Sequence, residues 1–182
     1  MTWTTIAEVA ADNPVTDGTQ VSSSVWNSQV KGNLEHLYSV PRCVAYKSAA
    51  QSISTGSWQD VTWDSESFDT ASIHDTSTNT ERFTLVRDGL WLVVAQVVFA
   101  SNSTGDRLGR LLLNGVGGAP LSQVNLHTAS GNTTRFTVQT LVYTSTTTDY
   151  VGLQVYQDSG GALNLSGGSA ASTSLSVVWL GA

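Results

Sequence analysis

The feature that most constrains the fold is a change in hydrophobic periodicity near Arg42. From there on, apolar residues recur at every second position within short runs, as from Val151 to Val155. Turn-forming pairs such as Asp88-Gly89 separate these runs. A period of two gives a strand one buried face and one solvated face. Eight to ten such strands with no helix between them predict an all-β sandwich or jelly roll over residues 42–182.

Residues 1–41 have a different pattern, which predicts an N-terminal arm and a docking helix. Pro14 and Asp17-Gly18 indicate an extended arm over residues 1–21. Ser22 to Tyr38 is predicted to be one amphipathic helix, with a stripe of apolar residues spaced by four, four and three positions. The stripe comprises Trp26, Val30, Leu34 and Leu37. It must pack on its own domain, on copies of itself or on a partner.

The composition excludes several partners. The 182 residues carry a net charge of −6, and only two lysines and six arginines are present. Without a basic tract, binding to nucleic acid or to an anionic membrane surface is not expected. A single cysteine, Cys43, excludes an internal disulfide and a cysteine-based zinc site, and its apolar context predicts a buried structural thiol. The N-terminus lacks a signal-peptide pattern, so we expect synthesis in a cytoplasm without export by the usual route.

One predicted strand is apolar on both faces. Leu90 to Phe99 contains a single polar residue, Gln96. In a two-sheet sandwich, only one face of a strand meets the core. The second face therefore needs a cover, which is either a loop or helix of the same chain or a neighbouring subunit.

Several of these runs resemble the globular heads of the complement C-one-q family. Phe83 to Leu85 followed by Asp88 to Leu92 resembles the central motif of those heads, with an aromatic residue, a turn glycine and an aromatic-rich strand. Asn114-Gly115 is similar to a strand-turn step of the family. Asp149 to Val155 resembles a late strand, and Ser174 to Leu180 resembles the strand that closes the fold.

The resemblance implies a ten-strand jelly-roll sandwich of the kind shared with tumour necrosis factor, over residues 42–182. It also implies a homotrimer about a three-fold axis, which would cover the two-sided strand. The trimer interface is then expected at Leu90, Leu92, Val94, Val97, Phe99 and Trp179.

A second resemblance lies in the N-terminal part. Val25 to Asn27, then Val30, Asn33-Leu34 and Leu37, resemble a segment that opens many minor virion proteins of tailed bacteriophages. This implies a structural protein on the surface of a virion head or tail, docked to capsid or tail proteins by its N-terminal segment. A capsid decoration or head fibre and a minor tail protein both remain open.

The sequence contains no recognisable catalytic motif, so we expect a non-enzyme without a cofactor. Its three histidines are scattered, and nucleophile-elbow and phosphate-loop patterns are absent. Asp64, Glu66 and Asp69, with Asp75 nearby, are candidate calcium ligands because calcium prefers clustered oxygen donors. The alternative for this cluster is a solvated surface turn.

Aromatic residues raise a further possibility, a host-surface glycan as partner. The candidates for stacking on sugars are Trp58, Trp63, Tyr143, Tyr150 and Tyr156. Packing in the core or in a trimer interface is the alternative for all of them. Rival functions are therefore a carbohydrate-binding module, a receptor-binding tail-tip protein and, third, a hydrolase that uses an acid of the 64–75 cluster.

Overall fold

The computed structural model of the chain describes residues 26–115, 120–127 and 132–182. The chain divides into two compact units, residues 1–40 and 41–182. The predicted arm and the start of the predicted helix lie outside the described residues. Within the described part, no helix is long and apolar enough to cross a membrane.

The first unit contains the predicted helix in two forms. Trp26–Lys31 is π-helical, and α1 (Gly32–Tyr38) is a regular α-helix. A π-helix has i→i+5 hydrogen bonds. Apolar residues spaced by four and three positions do not show whether a helix is of the π or the α type. Trp26, Leu34 and Leu37 are more than half exposed.

The second unit, which we call the head, contains twelve strands among the described residues, all paired antiparallel. They are β1 (Arg42–Tyr46), β2 (Gln51–Ile53), β3 (Gln59–Asp60), β4 (Ser65–Asp69), β5 (Phe83–Thr84), β6 (Gly89–Phe99), β7 (Asp106–Leu113), β8 (Ser122–His127), β9 (Thr134–Thr144), β10 (Tyr150–Gln157), β11 (Leu163–Leu165) and β12 (Ser174–Gly181). The prediction of ten strands was close. β3 and β5 have two residues each, too few to show an alternation in sequence.

The strands form two sheets that enclose one core. In the seven-stranded sheet, β6 is central, with β9 along one side and β12 and β11 along the other. β1 and β4 continue beyond β12, and β2 continues beyond β11. The five-stranded sheet has the order β3-β10-β7-β8, and β5 also pairs with β10. This two-sheet arrangement confirms the predicted jelly-roll sandwich.

The predicted alternation is borne out in the core. Val151, Leu153 and Val155 of β10 are fully buried and point from the five-stranded sheet towards the seven-stranded sheet. Leu175 and Val177 of β12 are fully buried from the opposite side. Burial of aliphatic and aromatic side chains between the sheets is the main stabilisation of such a sandwich.

The two-sided strand β6 corrects part of the predicted trimer interface. Val97 and Phe99 are fully buried within the head, and Trp179 is 5% exposed, so these three belong to its core. Leu90, Leu92 and Val94 have the opposite parity and are partly exposed. The predicted set mixed the two faces because both are apolar in sequence, and only the parity of the strand separates them.

The start of β6 is held by its glycine and by two indoles. The side-chain N–H groups of Trp91 and Trp179 donate to the carbonyls of the Arg87–Asp88 turn, at 2.9 and 2.8 Å. Gly89 follows with φ +119°. A Cβ added there would collide with the backbone of Gly181 in β12. The Asp-Gly pair seen in the sequence is therefore where the first and last long strands of the seven-stranded sheet meet.

Candidate functional site

Part of the outer side of the seven-stranded sheet is apolar, and we call this part the outer apolar face. It comprises Val44, Phe68, Leu90, Leu92, Val94, Leu141, Tyr143, Val178 and Leu180. Four of these side chains are about half exposed or more, namely Phe68 at 45%, Leu141 at 57%, Tyr143 at 66% and Leu180 at 53%.

The strand register makes the part of this face on β9, β6 and β12 continuous. Leu92 pairs with Leu141 on one side and with Val178 on the other, while Leu90 pairs with Tyr143. Because paired residues in neighbouring strands share a face, these side chains form adjoining rows. The result is one apolar patch across three strands, not a scatter of single exposed residues.

A loop of the same chain covers the other end of β6. The Gln96 side chain donates to the carbonyls of Ala171 and Ser172, at 2.7 and 2.6 Å. The Thr173 hydroxyl lies 3.2 Å from the N–H of Val98, which is 3% exposed. The predicted cover by a loop of the same chain is thus present at the end of β6 near Val98, where residues 166–173 lie.

The outer side of the five-stranded sheet is polar and aromatic. Nε and an Nη of Arg110 both donate to Oε1 of Gln154, at 3.0 and 2.6 Å, and Nε2 of Gln154 donates to Asp60 at 2.9 Å. The Arg110 guanidinium lies 4.1 Å from the ring centre of Trp58, and Trp58 lies 5.7 Å from Tyr156. Gln154 is only 4% exposed, so the network is held rigidly.

This network continues into a small cavity beside Gly152. The cavity has a volume of about 200 Å³ and is lined by Asp60, Glu81, Arg82 and Tyr150 among others. The Arg82 guanidinium lies 4.5 Å from the centre of the Tyr150 ring and donates through Nε to Glu81 at 2.8 Å. Gly152 leaves this space open. A Cβ at that position would press on the carbonyl oxygen of Glu81.

A larger cavity of about 500 Å³ lies on the other side of the Arg82–Tyr150 pair. Besides that pair, its walls include Ser72, Asp75, Thr78, Asn79 and Thr148. Most of these groups are hydroxyls, amides or charged groups. We call the two cavities, together with the surface of Trp58, Tyr156 and Arg110, the polar groove.

Hydrogen bonds to Asp69 and His74 hold the loop that forms the larger cavity. Backbone N–H groups of Ala71, Ile73 and His74 donate to the Asp69 carboxylate at 2.6–2.9 Å. The buried His74 ring lies 2.8 Å from Glu66 through Nδ1 and 3.1 Å from the Thr80 carbonyl through Nε2. These contacts fix the positions of the cavity walls.

Charge in the polar groove is mixed, with a small excess of acid. The carboxylates are Asp60, Asp75 and Glu81, and the cations are Arg82 and Arg110. Hydrogen bonds from the Ser77 hydroxyl and from the N–H groups of Ser77 and Thr78 hold the pKa of Asp75 below its usual value. Asp75 therefore remains an anion and a hydrogen-bond acceptor over the physiological range.

The structure does not assemble the predicted calcium ligands into a site. Asp64 pairs with Lys47 at 3.3 Å, Glu66 contacts His74, and Asp69 accepts the loop N–H groups described above. Across the described residues, no group of three histidine, cysteine or acidic side chains is placed to hold a metal ion. Each of these carboxylates instead has its own partner within the head.

The aromatic candidates divide between the core and the two surfaces. Trp63 is fully buried, so packing in the core, the alternative to stacking on sugars, holds for it. Tyr143 lies on the outer apolar face. Trp58, Tyr150 and Tyr156 all lie at the polar groove. Sequence reasoning missed Arg82, Gln154 and Asp60, which are ordinary polar residues until the fold brings them together.

Cys43 is buried and free, as predicted. Burial raises the pKa of its thiol well above the usual range, and the nearby carboxylates of Asp69 and Glu66 raise it further. Arg107 is also fully buried. Its guanidinium donates to the carbonyls of Thr104 and Asp106 at 3.0 and 2.9 Å.

Comparison with solved structures identifies the fold of the head, whereas comparison of the sequence finds no match. No family model and no curated protein matches the chain. Among solved structures, murine APRIL at pH 8.0 is similar with a TM-score of 0.57 and 13% identity, over 77% of this chain and 98% of that one. The globular domain of zebrafish complement 1qA protein has a TM-score of 0.57 and 12% identity, over 78% and 98%.

A third solved structure, Eiger TNF from S. frugiperda, has a TM-score of 0.53 and 16% identity, over 78% of this chain and 93% of that one. Together these three structures match both families whose heads the sequence resembles. The head of this protein therefore has the jelly-roll fold of the tumour necrosis factor and complement C-one-q heads.

Proposed function

We propose that the protein is a non-enzymatic, homotrimeric structural module of a bacteriophage virion. The observation that carries the proposal is the outer apolar face. A soluble protein rarely leaves a large continuous apolar patch in water unless another protein covers it. The trimer implied by the fold resemblance would cover this patch with copies of the same chain.

The surface of the patch favours association with a protein rather than a small ligand. Leu141, Tyr143 and Leu180 are exposed, and apolar surfaces that include tyrosine are typical of protein interfaces. Arg42, which pairs with Val178 in the sheet, lies 5.9 Å from the Phe68 ring and places a charge beside the apolar residues. An apolar centre with a charged rim is the usual arrangement of a stable interface.

The N-terminal helix supports attachment to a particle. Trp26, Leu34 and Leu37 are 56%, 59% and 56% exposed, which is high for the apolar stripe of an amphipathic helix. We propose that this stripe docks on capsid or tail proteins, as the resemblance to minor virion proteins implies. The head would then be presented on the virion surface, where host-surface contact becomes available to it.

Two positions on the particle remain alternatives. A capsid decoration or head fibre implies many copies and a shell that weakens without the protein. A minor tail protein implies few copies and loss of adsorption to the host. The copy number in purified particles separates the two.

The test is quantitative mass spectrometry of purified particles that carry variants of the helix stripe. Leu34→Asp with Leu37→Asp places charges on the stripe, and we expect incorporation to fall at least about tenfold, which corresponds to about 1.4 kcal/mol of lost binding. Leu126→Asp is the control, because Leu126 is an exposed leucine on β8 of the head and does not belong to the helix stripe. Absence of the protein from wild-type particles, or equal incorporation of all variants, would contradict the proposal.

A further inference from the structure

We propose that the polar groove is a binding site for a neutral saccharide chain. This goes beyond the trimer and the virion role, and it depends on neither. All of its residues belong to one protomer, and they lie on the opposite side of the sandwich from the outer apolar face. A trimer formed through the outer apolar face would leave this side open.

The dimensions of the groove suit a chain rather than a single small molecule. Tyr150 and Tyr156 project from the same side of β10 and are six residues apart, which is about 20 Å along a strand. The larger cavity, at about 500 Å³, falls in the usual size range of ligand pockets, and the smaller one adjoins it across the Arg82–Tyr150 pair. A linear ligand could pass from one cavity across Asp60 to the surface of Trp58.

The chemistry of the groove matches a polyhydroxyl ligand. Guanidinium, amide, carboxylate and hydroxyl groups supply hydrogen-bond donors and acceptors side by side, as at Arg82, Asn79 and Asp75. Trp58 and Tyr156 add aromatic surface on which the apolar side of a sugar ring can pack. The lining is too polar for a lipid or an apolar cofactor.

The charge of the groove decides between neutral and anionic ligands. Three carboxylates face two arginines, and Arg82 and Arg110 already donate to Glu81 and Gln154. A phosphorylated or uronate polymer would meet a net negative surface and would be repelled. A neutral saccharide avoids this repulsion and can bind the donors and acceptors that remain unpaired within the groove.

The groove is also organised in advance. The chain of hydrogen bonds from Arg110 through Gln154 to Asp60 holds three side chains in one arrangement. On the other side, Asp69 and His74 fix the loop that forms the larger cavity. A rigid polar surface loses little conformational entropy when a flexible hydroxylated ligand binds.

The experiment is saturation-transfer NMR and calorimetry on the full chain. The probes are neutral hexasaccharides of glucose, mannose, galactose or N-acetylglucosamine, with hexagalacturonate as the charged comparison. We expect at least one neutral probe to bind. Arg82→Gln and Trp58→Ala, which alter opposite ends of the groove, should each weaken it about tenfold, as expected for loss of one charged hydrogen bond or one stacking contact.

The matched control is Arg135→Gln, an exposed arginine at the far end of β9 that should leave binding unchanged. Circular dichroism confirms folding of each variant, and the second variant decides if the first fails to fold. The inference is overturned if no neutral probe binds, if hexagalacturonate binds more tightly, or if the control weakens binding as much as Arg82→Gln. The molecular mass, measured on the same samples, reports on the trimer separately.

Discussion

At the residue scale, burial decides what each polar or reactive side chain can do. Cys43 is fully buried in β1, and the cause of its raised pKa is first desolvation and then the carboxylates of Asp69 and Glu66. Because the thiolate is the reactive form, a raised pKa and a closed environment both suppress reaction. The single cysteine is therefore a structural residue.

This gives a prediction for thiol reactivity. At pH 8, Cys43 in the folded protein should react with a disulfide reagent at least about a hundredfold more slowly than in urea, where the thiol is exposed and its pKa is normal. Absorbance of the released thiolate measures both rates, and Cys43→Ser gives the background. Fast reaction of the native protein would show that β1 is not packed as described.

At the element scale, the meeting of β6 and β12 depends on one glycine. Gly89 has a positive φ of +119°, and its missing Cβ lets the backbone of Gly181 approach. Gly161 is a useful contrast because it is exposed and an added Cβ would meet nothing within 4 Å. The two positions separate the effect of close packing from the general effect of replacing glycine.

Gly89→Ala should therefore destabilise the head by at least about 2 kcal/mol, since it combines a disfavoured φ with a backbone collision. Gly161→Ala should change the free energy of unfolding by less than about 1 kcal/mol in either direction. Urea denaturation followed by tryptophan fluorescence measures both, because Trp91 and Trp179 lie next to Gly89 in the core. Equal effects of the two substitutions would contradict the role of Gly89.

At the element scale, the sequence could predict some strands and their buried faces but not others. Strands with one polar face, such as β10, were predicted because alternation records burial directly. β6 was predicted as a strand. The burial of Val97 and Phe99 in the core was not predicted, because both faces of β6 are apolar and the sequence does not show which face is buried. The 166–173 loop that covers Val98 could not be anticipated, because it is distant in sequence.

The candidate site was predictable only in its aromatic part. Trp58, Tyr150 and Tyr156 stand out by residue type. Asp60 and Gln154 are 94 positions apart and become partners only through the pairing of β3 with β10. Long-range pairing of polar residues leaves no local pattern, so a network of this kind is visible only in the fold.

At the scale of the whole molecule, the two sheets present opposite surfaces. The seven-stranded sheet has the outer apolar face, and the five-stranded sheet has the polar groove. One side is suited to association with copies of the chain, and the other is suited to a hydrated ligand. A trimer would therefore display three grooves without burying them.

The most direct test of the central claim is the mass of the full chain in solution, measured by light scattering after gel filtration. The wild type should have a mass of about 58 kDa, three times the 19.3 kDa of one chain. Leu141→Glu, which puts a charge on the outer apolar face, should shift the mass towards the monomer.

Leu126→Glu is the matched control, because Leu126 is 36% exposed on β8 of the other sheet, and it should remain a trimer. A wild-type mass of 19.3 kDa, or dissociation by the control and not by Leu141→Glu, would contradict the assignment of the outer apolar face as the trimer interface.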